Sequence, residues 1–147
     1  MRISTKGRYG LRAMLDLALN SATDHVALGS IAERQDISAN YLEQIFSSLR
    51  KSGLVKSIKG AQGGYILGDK PARITVGQIL RVLEADLFQF EEDDDGLGQF
   101  DVEFFLRASV WDKMQACIND LVDNITLEDL MDDYKKMQGN SSLMYFI

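Results

Sequence analysis

Hydrophobic positions follow two rhythms along this chain, and the switch between them marks its most telling stretch. Leu42, Ile45, Phe46 and Leu49 recur at i, i+3, i+4 and i+7, which predicts a helix over residues 39–52 with one buried face. The opposite face carries Asn40, Tyr41, Glu43, Gln44, Ser47, Ser48 and Lys51. Ser38 stands where an N-cap hydroxyl accepts from an amide that the first turn leaves unpaired. Gly53 ends the helix, since the residue past a last turn commonly needs positive φ. From Leu54 to Lys59 the period drops to two, as in a half-buried strand, and residues 65–67 supply a return strand. The tip between them is Gly60-Ala61-Gln62-Gly63-Gly64.

The same rhythms place the other elements. Ser4 or Thr5 caps a first helix to about Asn20, with Leu11, Met14, Leu15, Ala18 and Leu19 as its apolar stripe. Val26-Ala27-Leu28 reads as a short strand, and Gly29 or Ser30 starts a brief second helix through Gln35. A turn at Asp36-Ile37 joins it to the third helix, a helix-turn-helix spacing. After Pro71, Thr75 caps a fourth helix to about Glu84, with Val76, Ile79, Leu80 and Leu83 facing inward. Residues 85–100 break the pattern as a solvated acidic loop. A long helix follows over Asp101–Asp123: Leu106, Val110, Met114, Cys117 and Leu121 hold one stripe, and Phe105, Trp111 and Ile118 widen it. That is more apolar surface than one copy can cover, so a second copy is expected against it. Thr126 and Asp129 cap a last helix to about Met137, and residues 138–147 form a tail. The expected fold is mainly α with a small β-wing. A winged helix-turn-helix domain occupies 1–84, the acidic loop 85–100, and a dimerisation and terminal-helix region 101–137.

Composition sharpens this reading. The chain has 147 residues, is 46% hydrophobic and carries a formal charge of -6, which taken alone argues against a nucleic-acid partner. The charge is divided: residues 1–70 hold ten Lys/Arg and six Asp/Glu, and residues 71–147 hold six and sixteen. A basic first half suits phosphate binding, because screening over about 8 Å hides the distant acidic half. A membrane span needs about 20 consecutive apolar residues, and no such run is present. The first residues lack the apolar core of a secretory signal, and the single Cys117 fits a reducing compartment, so a cytoplasmic setting is expected.

With STKGRYGLRAMLDLAL, SIAERQDISANYLEQIFSSLRKSGLVKSIKGAQGGYILG and NITLEDLM in view, the sequence resembles a known family. It is similar to the Rrf-two-type winged-helix regulators, the group of the iron–sulfur regulator IscR, the nitric-oxide sensor NsrR and the cysteine-metabolism repressor CymR. The resemblance implies a homodimeric, sequence-specific transcription regulator, with the long helix crossing to the partner copy. It also implies DNA contacts from Ser38, Asn40, Tyr41, Glu43 and Gln44 on the third helix, and from Lys59 with Gln62 and the glycines on the wing. Gln44 suits adenine, Glu43 a cytosine amino group, and Lys59 a narrow minor groove. Arg2, Lys6, Arg50, Lys51 and Lys56 suit phosphates, which fix position without reading sequence. Repression at a pseudo-palindromic operator is expected. Relatives of the CymR kind are controlled by complex formation with a cysteine-biosynthetic enzyme, which implies a regulatory protein partner as one alternative; a metal or small-molecule sensor using the acidic loop is the other.

One departure from the family pattern bears on sensing. Cluster-binding members place three cysteines at positions corresponding to about 88–106, where this chain has EEDDDGLGQFD and no cysteine. Arg8 and Arg12 occupy the helix-1 positions where other relatives offer Glu and His. A cluster needs several thiolates or imidazoles, so no iron–sulfur cofactor is expected and the cluster-free, CymR-like branch is the nearer one. Glu91, Asp93, Asp95 and Gly96 echo the start of an EF-hand loop, but Val102 stands where the bidentate acid belongs, so no metal site is assigned. Cys117 reads as an interface cysteine and His25 as a loop residue. The sole histidine has no nucleophile partner, which leaves catalysis without support.

Overall fold

The computed structural model describes the backbone of residues 2–85 and 101–145, and the side chains of these up to residue 140. Helices α1 (Thr5–Asn20), α2 (Leu28–Gln35) and α3 (Ala39–Lys51) lead into the antiparallel hairpin β1 (Val55–Ile58) and β2 (Gly64–Leu67). Val55 pairs with Leu67 and Ile58 with Gly64, so the register closes on the glycine tip. A 3-10 turn at Pro71–Arg73 precedes α4 (Val76–Leu83). A continuous helix then runs from α5 (Val102–Leu106) through a π-helical turn at Arg107–Trp111 into α6 (Asp112–Asp123). It is followed by α7 (Leu127–Tyr145).

Side-chain caps start several of these elements. Ser4 Oγ accepts from Gly7 N at 3.1 Å, Ser38 Oγ from Tyr41 N at 3.2 Å, and Thr75 with Gln78 forms a reciprocal capping box. Asp36 ends α2 in the left-handed region, at φ 53, a conformation its short polar side chain tolerates. Its amide turns back to the Glu33 carbonyl, and this turn sets α3 across α2.

The main core joins α1, α2, α3 and α4 around Met14, Leu17, Ile31, Phe46 and Ile79, all fully buried. Leu127 of α7 is equally buried in it. The chain returns there through Val76 N to Ile125 O at 2.9 Å and Leu127 N to Ile74 O at 2.9 Å. Arg81 of α4 holds α6 from the side, donating to Asp123 Oδ2 and to Asn119 Oδ1, each at 3.0 Å. The hydrogen bond between Arg81 and Asp123 raises the Arg81 pKa above its ordinary value and holds the Asp123 carboxyl below the usual carboxylate range.

Several expectations need correction. In α1 the fully buried residues are Ala13, Met14 and Leu17, while Leu15 and Leu19 are half-buried. The helix is packed by several elements, so its buried arc is wider than one stripe and rotated from it. The strand expected at 26–28 shrinks to one bridge, Val26 to Tyr65, because Leu28 already begins α2. Ala27 occupies the N-cap of α2 and offers no side-chain oxygen there. The last helix passes Met137 and takes in most of the expected tail. The expected acidic loop lies almost wholly outside the described residues.

Candidate nucleic-acid interface

The polar face of α3 is presented as its amphipathic pattern requires, with Leu42, Ile45, Phe46 and Leu49 turned into the core. Two open grooves flank that face. One, of about 600 Å³, is lined by Lys6 from α1 and by Asn40, Glu43, Gln44, Ser47 and Ser48 from α3. The other, of about 390 Å³, lies between α3 and the wing, where Glu43, Ser47 and Arg50 face Ser57, Ile58, Gly63, Gly64 and Tyr65. Glu43 and Ser47 line both grooves, so one turn of helix stands between two openings.

Of the residues expected to touch DNA, Lys6, Asn40, Glu43, Gln44 and Arg50 thus come together along α3. Arg2, Lys51, Lys56, Lys59 and Gln62 are exposed but line neither groove. Ser38 is exposed, and its hydroxyl already caps α3. Tyr41 is half-buried; its ring meets Tyr9 edge-on at 6.1 Å and packs against the core, which leaves its body a structural task. Arg12 lies over the Tyr9 ring, 5.1 Å from its centroid, and donates to the Gln35 carbonyl at the end of α2.

The wing is fastened from below. Val26 N donates to the Tyr65 carbonyl at 2.9 Å and Tyr65 N to the Val26 carbonyl at 2.8 Å. The Phe46 and Tyr65 rings stack edge-on at 4.9 Å, tying the hairpin to the buried side of α3. The resemblance places the wing glycines among the DNA contacts. Gly63 and Gly64 answer a nearer demand, because a Cβ at either would lie 2.4 Å from the Ile58 or Val26 carbonyl oxygen.

Four contributors escaped the sequence pattern. His25 reaches the wing tip, where Nε2 donates to the Gln62 carbonyl. Asp16, inside α1, takes hydrogen bonds from Arg34 and Gln35 of α2. Leu28 and Ile58 line the wing-side groove as its apolar part. Each depends on a partner distant in sequence, so no local period carries it.

On the long helix, Phe105 is 65% exposed, Leu121 60% and Met114 44%, and Cys117 is exposed as well. Leu106, Val110, Trp111 and Ile118 are half-buried.

A helix-turn-helix with an attached wing, its third helix offering polar side chains to open grooves, defines a winged-helix DNA-binding transcription regulator rather than an enzyme. The family described as Rrf2, Iron-dependent Transcriptional regulator, matches residues 3–133, and the chain belongs to it. Over 130 residues it is 44% identical to the HTH-type transcriptional regulator CymR of Bacillus subtilis, covering 88% of this chain and 89% of that one. The solved structure of CymR, described as the global cysteine regulator of B. subtilis, superposes with a TM-score of 0.78 at 42% identity, covering 90% of this chain and 97% of that one. The structure of T. potens IscR gives 0.75 at 46% identity, covering 94% and 91%.

The family description names iron. Holding an iron–sulfur cluster takes several thiolate or imidazole ligands, and this chain has one cysteine and one histidine. Cys117 lies on α6, while His25 is engaged at the wing. Among the described residues, no group of three or more His, Cys, Asp and Glu side chains is placed to hold a metal ion. The donor set does not fit such a cluster. Glu91, Asp93 and Asp95 lie outside the described residues. Among those described, no helix is long and apolar enough to cross a membrane.

Proposed function

We propose that two copies of this chain pair through the α5–α6 helix and present two α3 helices and two wings to a pseudo-palindromic operator in the cytoplasm. The observation that carries this reading is the position of Glu43 and Ser47 between two open grooves, with Gln44 and Asn40 beside one and Arg50 beside the other. An α-helix fits the major groove of B-DNA, where Gln44 pairs with adenine N6/N7 and Glu43 accepts from cytosine N4. Lys59 extends from the wing toward the adjacent minor groove. Lys6, Arg2, Arg50, Lys51 and Lys56 neutralise phosphates and set the register. Repression is the mode we assign, on the resemblance to CymR-like regulators.

The test is a mobility-shift titration with operator and scrambled duplexes at several salt concentrations. Lys51→Ala should weaken binding to both duplexes and reduce the salt slope by about one. Glu43→Ala and Gln44→Ala should each lose about 1–3 kcal/mol of discrimination at particular base pairs. A double alanine variant that keeps full operator selectivity sinks the assignment of α3 as reader.

A second reading, control through a protein partner, draws on α7. Glu128, Asp129, Asp132 and Asp133 are all exposed there and Met137 is 60% exposed, a surface that suits a basic partner with an apolar anchor. Purified protein that binds promoter DNA with full affinity and selectivity by itself argues against that reading.

A further inference from the structure

We propose that His25 is a proton-linked positioning residue for the wing, so that operator binding takes up a proton. The inference rests on the reading of the wing as a DNA-contacting element. The Val26–Tyr65 bridge sets the preceding residue, His25, beside the hairpin tip. There Nε2 donates to the Gln62 carbonyl, and Nδ1 lies 2.8 Å from Asp24 Oδ1. The ring is largely covered, with 27% of its side chain exposed, whereas Asp24 is 78% exposed.

Both neighbours of the ring are acceptors. A carbonyl and a carboxylate each need an N–H, and a neutral imidazole has only one. The imidazolium offers an N–H to each of them. Loss of the second proton costs either the Asp24 contact, which orients the ring, or the Gln62 contact, which holds the tip. The tip closes on itself through Gly63 N to Gly60 O at 3.1 Å, and His25 supplies a hold from outside the hairpin. Lys59 is carried by the same tip, so its reach toward DNA depends on that hold.

The charged and titratable groups on the surrounding elements are Asp24 on the loop, Lys56, Lys59 and Tyr65 on the wing, and Tyr41, Glu43, Arg50 and Lys51 on α3. Of these side-chain types and His25, imidazole is the one that ordinarily exchanges a proton between pH 5 and 8. A DNA complex that favours the held tip and the extra positive charge therefore binds more tightly at the acid end of that range.

His25 is the sole histidine of the chain, so its ring nitrogens can be followed without overlap by ¹⁵N NMR on the full-length protein. The Gln62 and Gly63 amide resonances should move with the same midpoint as the ring. Operator affinity of the unaltered protein should fall from pH 6 to pH 8, by up to about tenfold per unit for each linked proton, one for each wing bound. His25→Gln keeps an N–H for the Gln62 carbonyl and does not titrate, so its affinity should stay flat over that range. His25→Ala should bind weakly throughout. Equal pH slopes in the unaltered protein and His25→Gln, or tip amides that ignore the ring titration, overturn the proposal. If the tip follows the ring but Lys59→Ala leaves operator affinity unchanged, the DNA-contacting role of the wing fails while the tether stands.

Discussion

Asp16 lies inside the molecule, 4% exposed, and the other charged side chains described are not buried. Its carboxylate accepts from Arg34 Nε at 3.0 Å, Arg34 Nη2 at 2.8 Å and Gln35 Nε2 at 2.8 Å. These bonds fasten α2 to α1 immediately before the turn that delivers α3, so the angle of the reading helix depends on them. The Asp16 hydrogen bond is also the main reason that the Arg34 pKa is raised above its ordinary value. Removing either partner has unequal consequences. Asp16→Ala leaves a half-exposed guanidinium that water can solvate, whereas Arg34→Ala leaves a buried carboxylate short of donors. We expect Asp16→Ala to cost about 2–3 kcal/mol, and Arg34→Ala at least as much. Urea unfolding decides this: midpoints shifted by no more than an exposed ion pair is worth, under about 1 kcal/mol, would reduce the contact to a surface pair. Nothing local in the sequence marks Asp16. It sits within the apolar stretch Ala13–Leu19 of α1, and its partners lie 18 and 19 positions away.

At the scale of elements, the wing depends on a backbone-to-backbone approach that only glycine permits. A Cβ at Gly64 would lie 2.4 Å from the Val26 carbonyl oxygen, which cannot retreat without opening the Val26–Tyr65 bridge. Gly64→Ala should therefore cost about 1–3 kcal/mol and speed hydrogen exchange at the Val26 and Tyr65 amides. Gly29 is the control, since it lies in α2 with open space where a Cβ would project. Alanine there should raise stability by up to about 1 kcal/mol. Comparable losses at both sites would show that the close approach is not what Gly64 is for. The elements readable from sequence are those whose starts are written locally, through Ser4, Ser38 and Thr75 as hydroxyl caps. The start of α2 was misplaced because Ala27 carries no capping side chain. The end of α7 was misplaced because Gly139 costs a helix about 1 kcal/mol and reads as a stop. The polar face of α3 was legible as the complement of its apolar stripe. The hold on the wing was not, because Gln62 is 37 residues from His25 and lends only its carbonyl.

For the molecule as a whole, the long helix leaves its apolar side open. Phe105 and Leu121 are more exposed than covered, with Val102, Phe104 and Met114 also exposed on the same α5–α6 span. Large apolar side chains left exposed along one helix suit an interaction site, and the proposed two-fold pairing would place the two α3 helices for two half-sites. Leu121 offers a clean test, because 60% exposure means that replacing it leaves the winged core intact. In Leu121→Asp each copy would bring a carboxylate to the shared surface. We expect sedimentation equilibrium to show monomers, with an unchanged far-UV circular dichroism spectrum. Without the paired half-site, the second α3 helix no longer binds as part of the same body, and operator affinity should fall by about 10²–10⁴-fold. Binding to a single half-site should change little. A Leu121→Asp protein that remains dimeric and binds the full operator normally would move the interface off this helix, and the apolar side of α5–α6 would need another occupant.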